Sequence, residues 1–571
     1  MINKPQLNEY LDMSEFTRAV TDVKVPPQDM LLVGGDFSGI QKYIYKIASK
    51  HAARSLKGRS FYLHLLSDSI VRFLLKRLGL TKDSVVYDSG GSFYLTAPDT
   101  EETCKIIEEA ALDIERCLFD AHGTDLYLAL DYVKLPKDAL LHKNGQDLRK
   151  VWTELFNRRR VQKNRKFSRL IASDPKRFFT PSMHGGDFKR DDVTGEELYE
   201  NVKADSNGLL LSPITRDQIE VGKALQTHDC MLITEVPVKE WNDLTHVTPA
   251  HLGFTYYFVK SEDRQKWLSK AGDIKVETET IKGTMKIVRS FEELCEGKNL
   301  DRLGVLRMDV DNLGLLFQEG IPAESATLER YRSLSHKFDY FFSDYLHKIQ
   351  REVAPDSSQV IYSGGDDVFI VGAWDYTIKF AKRIREDFRT YTKGNPRFSI
   401  SGGVAIVRDK FPIMKGAEES AHEEHLAKEH EVKAANGKVL TKNSISFMDT
   451  PLNWDTEFPA VENLKDSLLS LLNGGLMNKS FLGKVMKHAA NAKFKNHKVT
   501  AFKTYWLLTY DLTRMRQETR NQATKTMIDL CIKEVCKGGQ TLGGVKVETC
   551  YHPLELWCFA CRWAELEYRT R

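Results

Sequence analysis

Residues Val360–Phe369 read VIYSGGDDVF and place two acidic residues directly after two glycines, between apolar, β-branched and aromatic flanks. Flanks of this composition are typical of strands. Because glycine reaches the positive φ of the primed turns that close two-residue hairpins, Gly364 and Gly365 predict such a turn. Asp366 and Asp367 are therefore expected at a hairpin tip, where turn preference and function are the two competing explanations.

A second copy of this pattern lies near the N-terminus. Val85–Ala97, VVYDSGGSFYLTA, again has strand residues on both sides of Ser-Gly-Gly. An apolar strand ending in an aspartate precedes each copy: Asp36 lies 54 residues before Gly90, and Asp309 lies 55 residues before Gly364. The intervening segments have apolar residues at helical spacing. The sequence therefore predicts two β-α-α-β-hairpin units.

The acidic residues of the second unit predict a metal site. Asp309 and Asp311 are two apart on a strand and so point to one face. If that strand pairs with the hairpin, they converge with Asp366 and Asp367, and such a cluster is unfavourable unless cations neutralise it. Carboxylate oxygens suit Mg²⁺ or Mn²⁺, and two such ions ~4 Å apart clamp an in-line displacement at phosphate.

The first unit lacks most of these acids. When the two copies are aligned, Ser38 stands opposite Asp311, and Ser92 and Phe93 stand opposite the Asp-Asp pair. Turn preference alone does not predict this asymmetry, which favours a functional role for the acids of the second unit.

Composition limits the class of protein. A chain of 571 residues is too long for one core and predicts three to five domains. The net charge of +4 gives no overall nucleic-acid signal, so RNA or DNA contacts would come from local patches. No apolar run reaches the ~18 residues of a membrane span, and the polar start lacks the apolar core of a signal peptide. Nine scattered cysteines do not form a disulfide framework and favour a reducing cytoplasm.

Five motifs, in order, resemble the large subunit of type III CRISPR effector complexes, the polymerase/cyclase Palm protein of the Csm and Cmr assemblies. The motifs are GDFSGIQKYIY (Gly35–Tyr45), KGRSFYL (Lys57–Leu63), MDVDNLG (Met308–Gly314), YSGGDD (Tyr362–Asp367) and SISGGVAIVRDKFPI (Ser399–Ile413). The resemblance covers about Leu31 to Phe447. It implies an α+β fold with two ferredoxin-like Palm domains of the GGDEF-like nucleotide-cyclase type, packed face to face with ATP at their shared surface.

The resemblance implies five segments. They are an N-terminal tail (1–28), a degenerate ATP-binding first Palm domain (29–165), a small intermediate domain without zinc cysteines (166–295), a catalytic second Palm domain (296–450) and a C-terminal helical domain (451–571). Many members begin with an HD nuclease domain, but about 30 residues precede the first strand, fewer than the ~50 of a domain, so no HD nuclease activity is expected. The isolated THDC of Thr227–Cys230 lacks a surrounding His/Asp set and is interpreted as chance.

The resemblance also implies the site residues. The catalytic acids are Asp309, Asp366 and Asp367, and these together with Asp311 are the implied ligands of Mg²⁺ or Mn²⁺. Nucleotide contacts are implied at turns that follow strands: Gly35, Asp36, Phe37, Ser38, Gly39, Gly90, Gly91 and Ser92 in the first Palm, and Val310, Asn312, Leu313, Gly314, Ser363, Gly364 and Gly365 in the second.

One helix lysine is a further implied nucleotide contact. AEESAHEEHLAKEH resembles the helix ending in Ala-Lys of nucleotide cyclases, which would bring Lys428 to a phosphate; a solvated helix lysine is the alternative. In the family pattern a basic-Asn step follows soon after this lysine. Here EHEVKAANGKVL intervenes before Lys442 and Asn443.

Cysteine spacing gives a weak zinc signal. Members of the family often carry paired cysteines between the Palms, but residues 178–213 contain none, so no zinc is expected there. The only Cys-x-x-Cys is Cys558–Cys561, with Cys531, Cys536, Cys550 and His552 nearby in the sequence. A zinc site and buried thiols on an amphipathic helix are the two interpretations.

Basic residues cluster in two places. Asn157–Arg169 has seven cations in thirteen residues, which fits either contact with RNA or a partner subunit or a solvated helix face. The C-terminal region has a basic helical surface, and in the family the corresponding bundle touches the small subunits and the guide-target duplex.

The expected function is that of a cytoplasmic nucleotidyltransferase in an antiviral complex, which converts ATP to cyclic oligoadenylates when guide RNA captures target RNA. The implied partners are the other complex subunits, guide RNA and target RNA, with no membrane contact. Two alternatives stay open: the same chemistry on another acceptor, such as S-adenosylmethionine, and a scaffold-only subunit. A diguanylate cyclase is disfavoured because the two units are unlike.

Overall fold

The computed structural model describes the chain except for residues 1–6, 8, 18–27, 48–51, 142, 144–145, 181–188, 199–201, 206–207, 282–289, 366, 434–436, 438, 538–539 and 571. Asp366 therefore lies outside the described residues. In the described part of the chain, none of the helices combines the length and the apolar character that crossing a bilayer requires.

The strands, numbered in chain order, are β1 (Met30–Ser38), β2 (Val85–Ser89), β3 (Ser92–Pro98), β4 (Tyr127–Leu135), β5 (Cys230–Thr234), β6 (His246–Val247), β7 (Thr255–Val259), β8 (Glu277–Thr280), β9 (Arg302–Val310), β10 (Ser358–Gly364), β11 (Asp367–Ala373), β12 (Ile400–Arg408), β13 (Glu431–Lys433), β14 (Val439–Thr441), β15 (Ser444–Phe447), β16 (Thr450–Asn453), β17 (Phe494–Lys495), β18 (Lys498–Val499), β19 (Thr541–Leu542) and β20 (Val545–Lys546).

The helices are α1 (Ser14–Thr17), α2 (Ile40–Tyr45), α3 (Ala52–Leu78), α4 (Glu101–His122), α5 (Lys137–Leu140), α6 (Leu148–Asn164), α7 (Ser168–Ser173), α8 (Pro175–Phe179), α9 (Pro213–Thr227), α10 (Arg264–Leu268), α11 (Leu313–Glu319), α12 (Leu328–Asp339), α13 (Leu346–Val353), α14 (Trp374–Tyr391), α15 (Ile413–Glu429), α16 (Glu457–Asn473), α17 (Ser480–Ala490), α18 (Phe502–Glu518), α19 (Gln522–Lys537) and α20 (Pro553–Thr570). A π-helical segment, Tyr340–Tyr345, joins α12 to α13.

The first unit is a four-stranded antiparallel sheet in the order β2-β3-β1-β4. Helices α2 and α3 connect β1 to β2, and α4 connects β3 to β4, which is the split β-α-β-β-α-β arrangement. Thr100 caps the start of α4 because its hydroxyl accepts a hydrogen bond from the Thr103 amide at 3.1 Å. The predicted β-α-α-β-hairpin unit is therefore present.

The second unit repeats this order as β10-β11-β9-β12, and β15 and β16 extend its sheet beyond β12. Strands β12 and β15 are parallel, and the other neighbours in this sheet are antiparallel. On β9, Leu306 and Met308 belong to one hydrophobic core while Leu303 and Val305 belong to another. The strand is thus buried on both faces until it reaches its polar end at Asp309.

The second hairpin has a different turn from the one that its sequence predicts. Gly364 pairs with Asp367, so Gly364 is a strand residue and not, as its sequence predicts, the first residue of the loop. In the first hairpin Ser89 pairs with Ser92, which leaves Gly90 and Gly91 as the loop. The structural counterpart of Asp367 is therefore Ser92, and the alignment that matched Ser92 to the residue before Asp367 was wrong by one position.

The remaining elements flank these two units. Strands β5–β8 form a third sheet in the order β6-β7-β5-β8, and α9 before it packs tightly on α3. A Cβ added at Gly58 would lie 1.8 Å from the Gln218 carbonyl oxygen, so only glycine allows this approach. Helices α16, α17 and α20 pack together in the C-terminal region.

Candidate active site

Two carboxylates face each other where the second unit's central strands end. Asp309 on β9 pairs directly with Asp367 on β11, and residues paired in this way project from the same face of a sheet. Burial and then the neighbouring Asp309 carboxylate raise the pKa of Asp367 to about 6. Two of the predicted acids are thus adjacent, and their charges repel each other.

Lysine and arginine side chains balance this acidic pair. Lys428 on α15 contacts Asp309 and also binds Glu424 at 2.7 Å. Burial alone would lower the Lys428 pKa, but the Asp309 and Glu424 carboxylates outweigh burial and raise it. Arg307 forms an ion pair with the other oxygen of Glu424 at 2.7 Å. Lys428 therefore lies at the acid pair and is not the solvated helix lysine of the alternative interpretation.

Asp311 follows β9 and is engaged by a different set of groups. One of its oxygens, Oδ2, accepts hydrogen bonds from the hydroxyls of Ser399 (2.7 Å) and Ser401 (3.0 Å) and from the Asn443 amide (3.1 Å). The other oxygen, Oδ1, is buried without a hydrogen-bond partner among the described residues. The structure thus shows Asp311 tying β12 to the Asn443 turn, and its role as a metal ligand stays a prediction.

Lys442 and Asn443, the basic-Asn pair that follows the insertion, lie close to the candidate site. Strands β13 and β14 form a hairpin, after which Lys442 Nζ donates a hydrogen bond to Asn312 Oδ1 at 2.5 Å. Asn312 begins α11 in the left-handed region, with φ of 61°. Lys442 is thus a site residue that the sequence reasoning missed. Its signal was the Lys-Asn pair itself, which the insertion separates from Lys428.

The first unit has a corresponding arrangement of side chains, with one acid fewer. Asp36 on β1 pairs with Ser92, whose hydroxyl donates to Asp36 Oδ1 at 3.0 Å. Lys163 on α6 binds Asp36 Oδ2 at 2.6 Å. Helix α6 packs on β4 as α15 packs on β12, so in each unit the lysine comes from a helix that follows the fourth strand. Lys163 lies within the basic stretch predicted from the sequence, which gave no signal for this contact.

The turn between β1 and α2 is tightly packed. The Phe37 amide donates to the Gly91 carbonyl at 2.9 Å, so this amide is occupied within the protein. Gly39 has φ of 99°, and a Cβ there would lie 2.1 Å from the Asp125 carbonyl oxygen. Ser38 pairs with Tyr127 on β4. At this predicted nucleotide-binding turn the backbone is thus closely packed, and the Phe37 amide is already hydrogen-bonded within the protein.

The two units meet at their hairpin tips. The Gly365 amide donates to Ser89 Oγ at 3.3 Å, and Ser89 Oγ donates to Asp339 Oδ1 at 3.2 Å. Closer to the acids, Gln41 Nε2 on α2 donates to Asp367 Oδ2 at 2.7 Å. A side chain of the first unit thus reaches the acid pair of the second.

A cavity of about 580 Å³ lies between the units. Strands β5 and β8 of the third sheet also contribute to its lining. The lining further includes predicted residues of β1 and of both hairpins and polar side chains of α3 and α13: Phe37, Gly90, Gly91, Ser363, Gly364, Lys57, His64 and His347. Burial lowers the pKa of Lys57 to about 8 and that of His347 to about 3. Residues of both units that were predicted to contact nucleotide thus line the same cavity.

The cysteines and histidines considered as possible zinc or nuclease residues lie away from the acid pair. Burial raises the pKa of the Cys558 and Cys561 thiols on α20, as expected for packed thiols. In the described part of the chain the convergent group of potential ligands is His430, Glu457 and Cys550, whose ligand atoms lie within 4.8 Å of one another. Asp229 of the THDC stretch accepts a hydrogen bond from the Ser261 amide at 2.7 Å and so stabilises a turn.

Two family models match the chain over just over half of its length. Residues 29–182 match "Csm1 subunit domain B", and residues 302–436 match "Cas10/Cmr2, second palm domain". The second match contains Asp309, Asp367 and Lys428, and the first contains Asp36, Ser92 and Lys163. Both halves of the site thus fall within the matched regions, except Lys442, which lies after the end of the second match.

Curated relatives and solved structures agree with these matches. The chain is 26% identical over 509 residues to a protein of Methanocaldococcus jannaschii and 27% identical over 533 residues to one of Mycobacterium tuberculosis, both named CRISPR system single-strand-specific deoxyribonuclease Cas10/Csm1 (subtype III-A). The alignments cover 78% and 86% of this chain and 62% and 63% of the relatives, so the chain spans under two thirds of their length.

The structural similarity extends over nearly all of the chain. A Csm1–Csm4 cassette crystallised with pppApA has a TM-score of 0.59 at 19% identity, covering 94% of this chain and 69% of the other. A Csm1–Csm4 cassette with cA4 has a TM-score of 0.58 at 20% identity, covering 95% and 70%. Sequence matches, fold and site together place this chain in the Cas10 family, the large Palm-containing subunits of type III CRISPR effector complexes.

Proposed function

We propose that this chain is a nucleotidyltransferase that joins ATP molecules into cyclic oligoadenylates within an RNA-guided antiviral complex. The observation that carries the proposal is the direct pairing of Asp309 with Asp367, flanked by Lys428, opposite a first unit that keeps Asp36 and Lys163 but has Ser92 in place of the second acid. One unit thus suits metal-assisted chemistry and the other suits binding of a second nucleotide.

The donor set of the second unit fits Mg²⁺ or Mn²⁺. Two carboxylates are held side by side, and burial and then the Asp309 carboxylate raise the pKa of Asp367, so a divalent cation would stabilise the charged pair. Asp309 and Asp367 would hold the metal, with residue 366 and Asp311 as further ligands. When bound, the metal would lower the pKa of the attacking 3′-hydroxyl and stabilise the charge on the departing pyrophosphate.

Residues of the second unit would bind the donor ATP. Lys428 lies near the end of α15 and contacts Asp309 on β9, and Lys442 follows β14 and contacts Asn312 in the β9–α11 turn. A triphosphate at this turn would exchange those contacts for charge-assisted hydrogen bonds to phosphate oxygens. The α-phosphate would then lie beside Asp309 and Asp367, where the attack takes place.

Residues of the first unit would bind the acceptor ATP. Ser92 can donate a hydrogen bond to a phosphate oxygen, whereas a carboxylate at this position would repel the triphosphate. Lys163 is placed to balance the phosphate charge beside Asp36. The cavity between the units falls within the 300–1,000 Å³ typical of small-molecule sites and would take the nucleoside parts.

The surroundings of the site support the same proposal. The two Palm domains of the proposal correspond to the two split β-α-β-β-α-β units, with a small intermediate domain between them and a helical domain after them. Solved structures of similar proteins are Csm1–Csm4 assemblies, so we infer that this chain also binds other complex subunits. Binding to guide RNA and target RNA is proposed from the motifs that resemble those of the family. All nine cysteines are free thiols, which supports a cytoplasmic location.

The test uses the assembled complex with target RNA, Mg²⁺ and labelled ATP, with and without S-adenosylmethionine, and identifies the products by mass spectrometry. We expect cyclic oligoadenylates from the native complex and at least about a 100-fold loss of rate in Asp309→Asn and Asp367→Asn, because each removes a metal ligand. Asp301→Asn, at the exposed residue just before the same strand, is the matched control and should retain the native rate.

Three outcomes separate the alternatives. A product that contains S-adenosylmethionine would show that the chemistry is right and the acceptor wrong. No nucleotide product from a complex that still binds target RNA would favour a scaffold. Unchanged synthesis in Asp309→Asn would overturn the two-metal mechanism.

A further inference from the structure

The contact between Gln41 and Asp367 joins the two units at the acid pair. Gln41 lies on α2 of the first unit, 326 residues before Asp367, and its amide nitrogen is 2.7 Å from Asp367 Oδ2. Gln41 is half-buried, whereas Lys42 beside it is exposed. The contact therefore depends on how the two units pack and not on the local sequence around either residue.

A second contact shows that this packing is specific. Tyr45 lies four residues after Gln41, so the two side chains share one face of α2. The Tyr45 ring packs on Phe369 with ring centroids 4.2 Å apart. Phe369 lies two residues after Asp367 and so shares its face of β11. Helix α2 thus packs on β11 through an apolar contact, and Gln41 makes its hydrogen bond to Asp367 next to that contact.

We propose that Gln41 is a positioning residue that the first unit contributes to the metal-binding acid pair of the second. Its amide holds one oxygen of Asp367 and leaves the other oxygen for the cation. Hydrogen bonds to the ligands of a metal orient those ligands and typically change metal affinity by about 10–100-fold. The inference rests on the nucleotidyltransferase function proposed above, because it assigns Asp367 to metal binding.

The structure separates this role from simple packing. Tyr45 and Phe369 are both buried, so α2 stays seated on β11 when the Gln41 amide is removed. Gln41→Met keeps the length of the side chain and removes the donor. Its effect should therefore be confined to the orientation of Asp367, while the units remain together.

The experiment measures Mn²⁺ binding to the assembled complex by electron paramagnetic resonance, with a non-hydrolysable ATP analogue present. We expect Gln41→Met and Gln41→Ala to weaken Mn²⁺ binding about 10–100-fold, and Lys42→Ala to leave it unchanged. In synthesis assays the Mg²⁺ concentration that gives half-maximal rate should rise by a similar factor. The KM for ATP, measured at saturating Mg²⁺, should stay near the native value.

The outcomes distinguish this inference from the proposed function. Native Mn²⁺ affinity in Gln41→Met would overturn the role of Gln41, while loss of synthesis in Asp309→Asn would still support the reaction. A raised KM for ATP with native Mn²⁺ affinity would also overturn it and would assign Gln41 to substrate binding. A lowered melting temperature with loss of target-RNA binding in both Gln41 variants would reduce the residue to a packing role.

Discussion

At the scale of single residues, charge balance decides what the candidate site can hold. Asp309, Asp367 and Glu424 place three carboxylates around Lys428 and Arg307. Such a cluster is stable only while cations, either side chains or metal ions, balance the negative charge. Lys428 therefore balances the carboxylates in this structure, and its contact with phosphate is part of our proposal.

We predict that Lys428→Ala makes the protein depend on metal for stability. Removal of the half-buried ammonium leaves Asp309 and Glu424 without their shared cation, at a cost of about 1–3 kcal/mol in the free energy of unfolding. Thermal melting should show a lower midpoint in EDTA, and Mg²⁺ should raise that midpoint more than in the native protein. Lys433→Ala, an exposed lysine on β13, is the control. Equal midpoints for native protein and Lys428→Ala in EDTA would contradict the prediction.

Lys163 gives a residue-scale prediction for the first unit. Loss of its ammonium should weaken ATP binding to the first unit about tenfold, because a charge-assisted hydrogen bond contributes about 1.5 kcal/mol. Binding of an ATP analogue by calorimetry in the Asp309→Asn background would measure this site without turnover. The exposed neighbour Lys166→Ala should bind like the parent. If Lys163→Ala and Lys166→Ala bind alike, the first unit does not use this lysine.

At the scale of elements, the two hairpins place their loops against each other. A Cβ at Gly90 would lie 3.1 Å from Gly365 Cα and 3.2 Å from the Gly364 carbonyl oxygen. Gly365 is two residues before Asp367, so displacement of this tip would shift the acid pair. The contact between loops thus couples the geometry of the first hairpin to the candidate active site.

We predict that Gly90→Ala slows nucleotide synthesis more than its effect on stability explains. Gly90 and Gly79 have nearly the same positive φ, 62° and 63°, so alanine costs about 1 kcal/mol of backbone strain at either position. A Cβ at Gly79 meets nothing within 4 Å, which makes Gly79→Ala the matched control. Both variants should melt at similar temperatures, and only Gly90→Ala should lose several-fold in rate. Equal rates would show that the loop contact does not position the acids.

At the scale of the whole molecule, the space between the two units contains buried ionisable groups. His347 on α13 is 9% exposed, and its Nδ1 has no hydrogen-bond partner among the described residues. Burial, and then the charge of Lys57, lower the pKa of His347 to about 3. The folded protein thus keeps this imidazole neutral at any pH near neutrality.

The buried imidazole predicts a loss of stability in mild acid. In the unfolded chain His347 takes up a proton near pH 6.5, while in the fold it stays neutral down to about pH 3, so the unfolded state binds more protons between these values. Stability is therefore present above pH 6.5 and falls as the pH drops, by about 2 kcal/mol at pH 5. His347→Gln should lose less melting temperature between pH 7.5 and pH 5 than the native protein. The same loss in both would contradict the assignment.

Local sequence was sufficient to predict the hairpin strands of the two units and the acids that lie at their ends. Glycines mark the hairpins, apolar residues mark the strands, and the nearly equal spacing from aspartate to hairpin marks the repeat. The turn of the second hairpin was shifted by one residue, because register depends on which side chains the neighbouring strand and the cores accept. The pairing of Asp367 with Asp309 shows which register the strands adopt, and the Ser-Gly-Gly sequence alone does not determine that register.

The sequence by itself determined that the chain has two related units and that only the second has several acids where its strands end, since both properties depend on short-range pattern and residue type. The tertiary structure decided which distant side chains complete the site. Gln41 reaches Asp367, Lys163 reaches Asp36, and Lys442 returns to Asn312 across an insertion. These contacts join residues that are far apart in the chain. They form because the packing of helices and strands brings these groups together, and their separation in the sequence does not predict the distance between them in the fold.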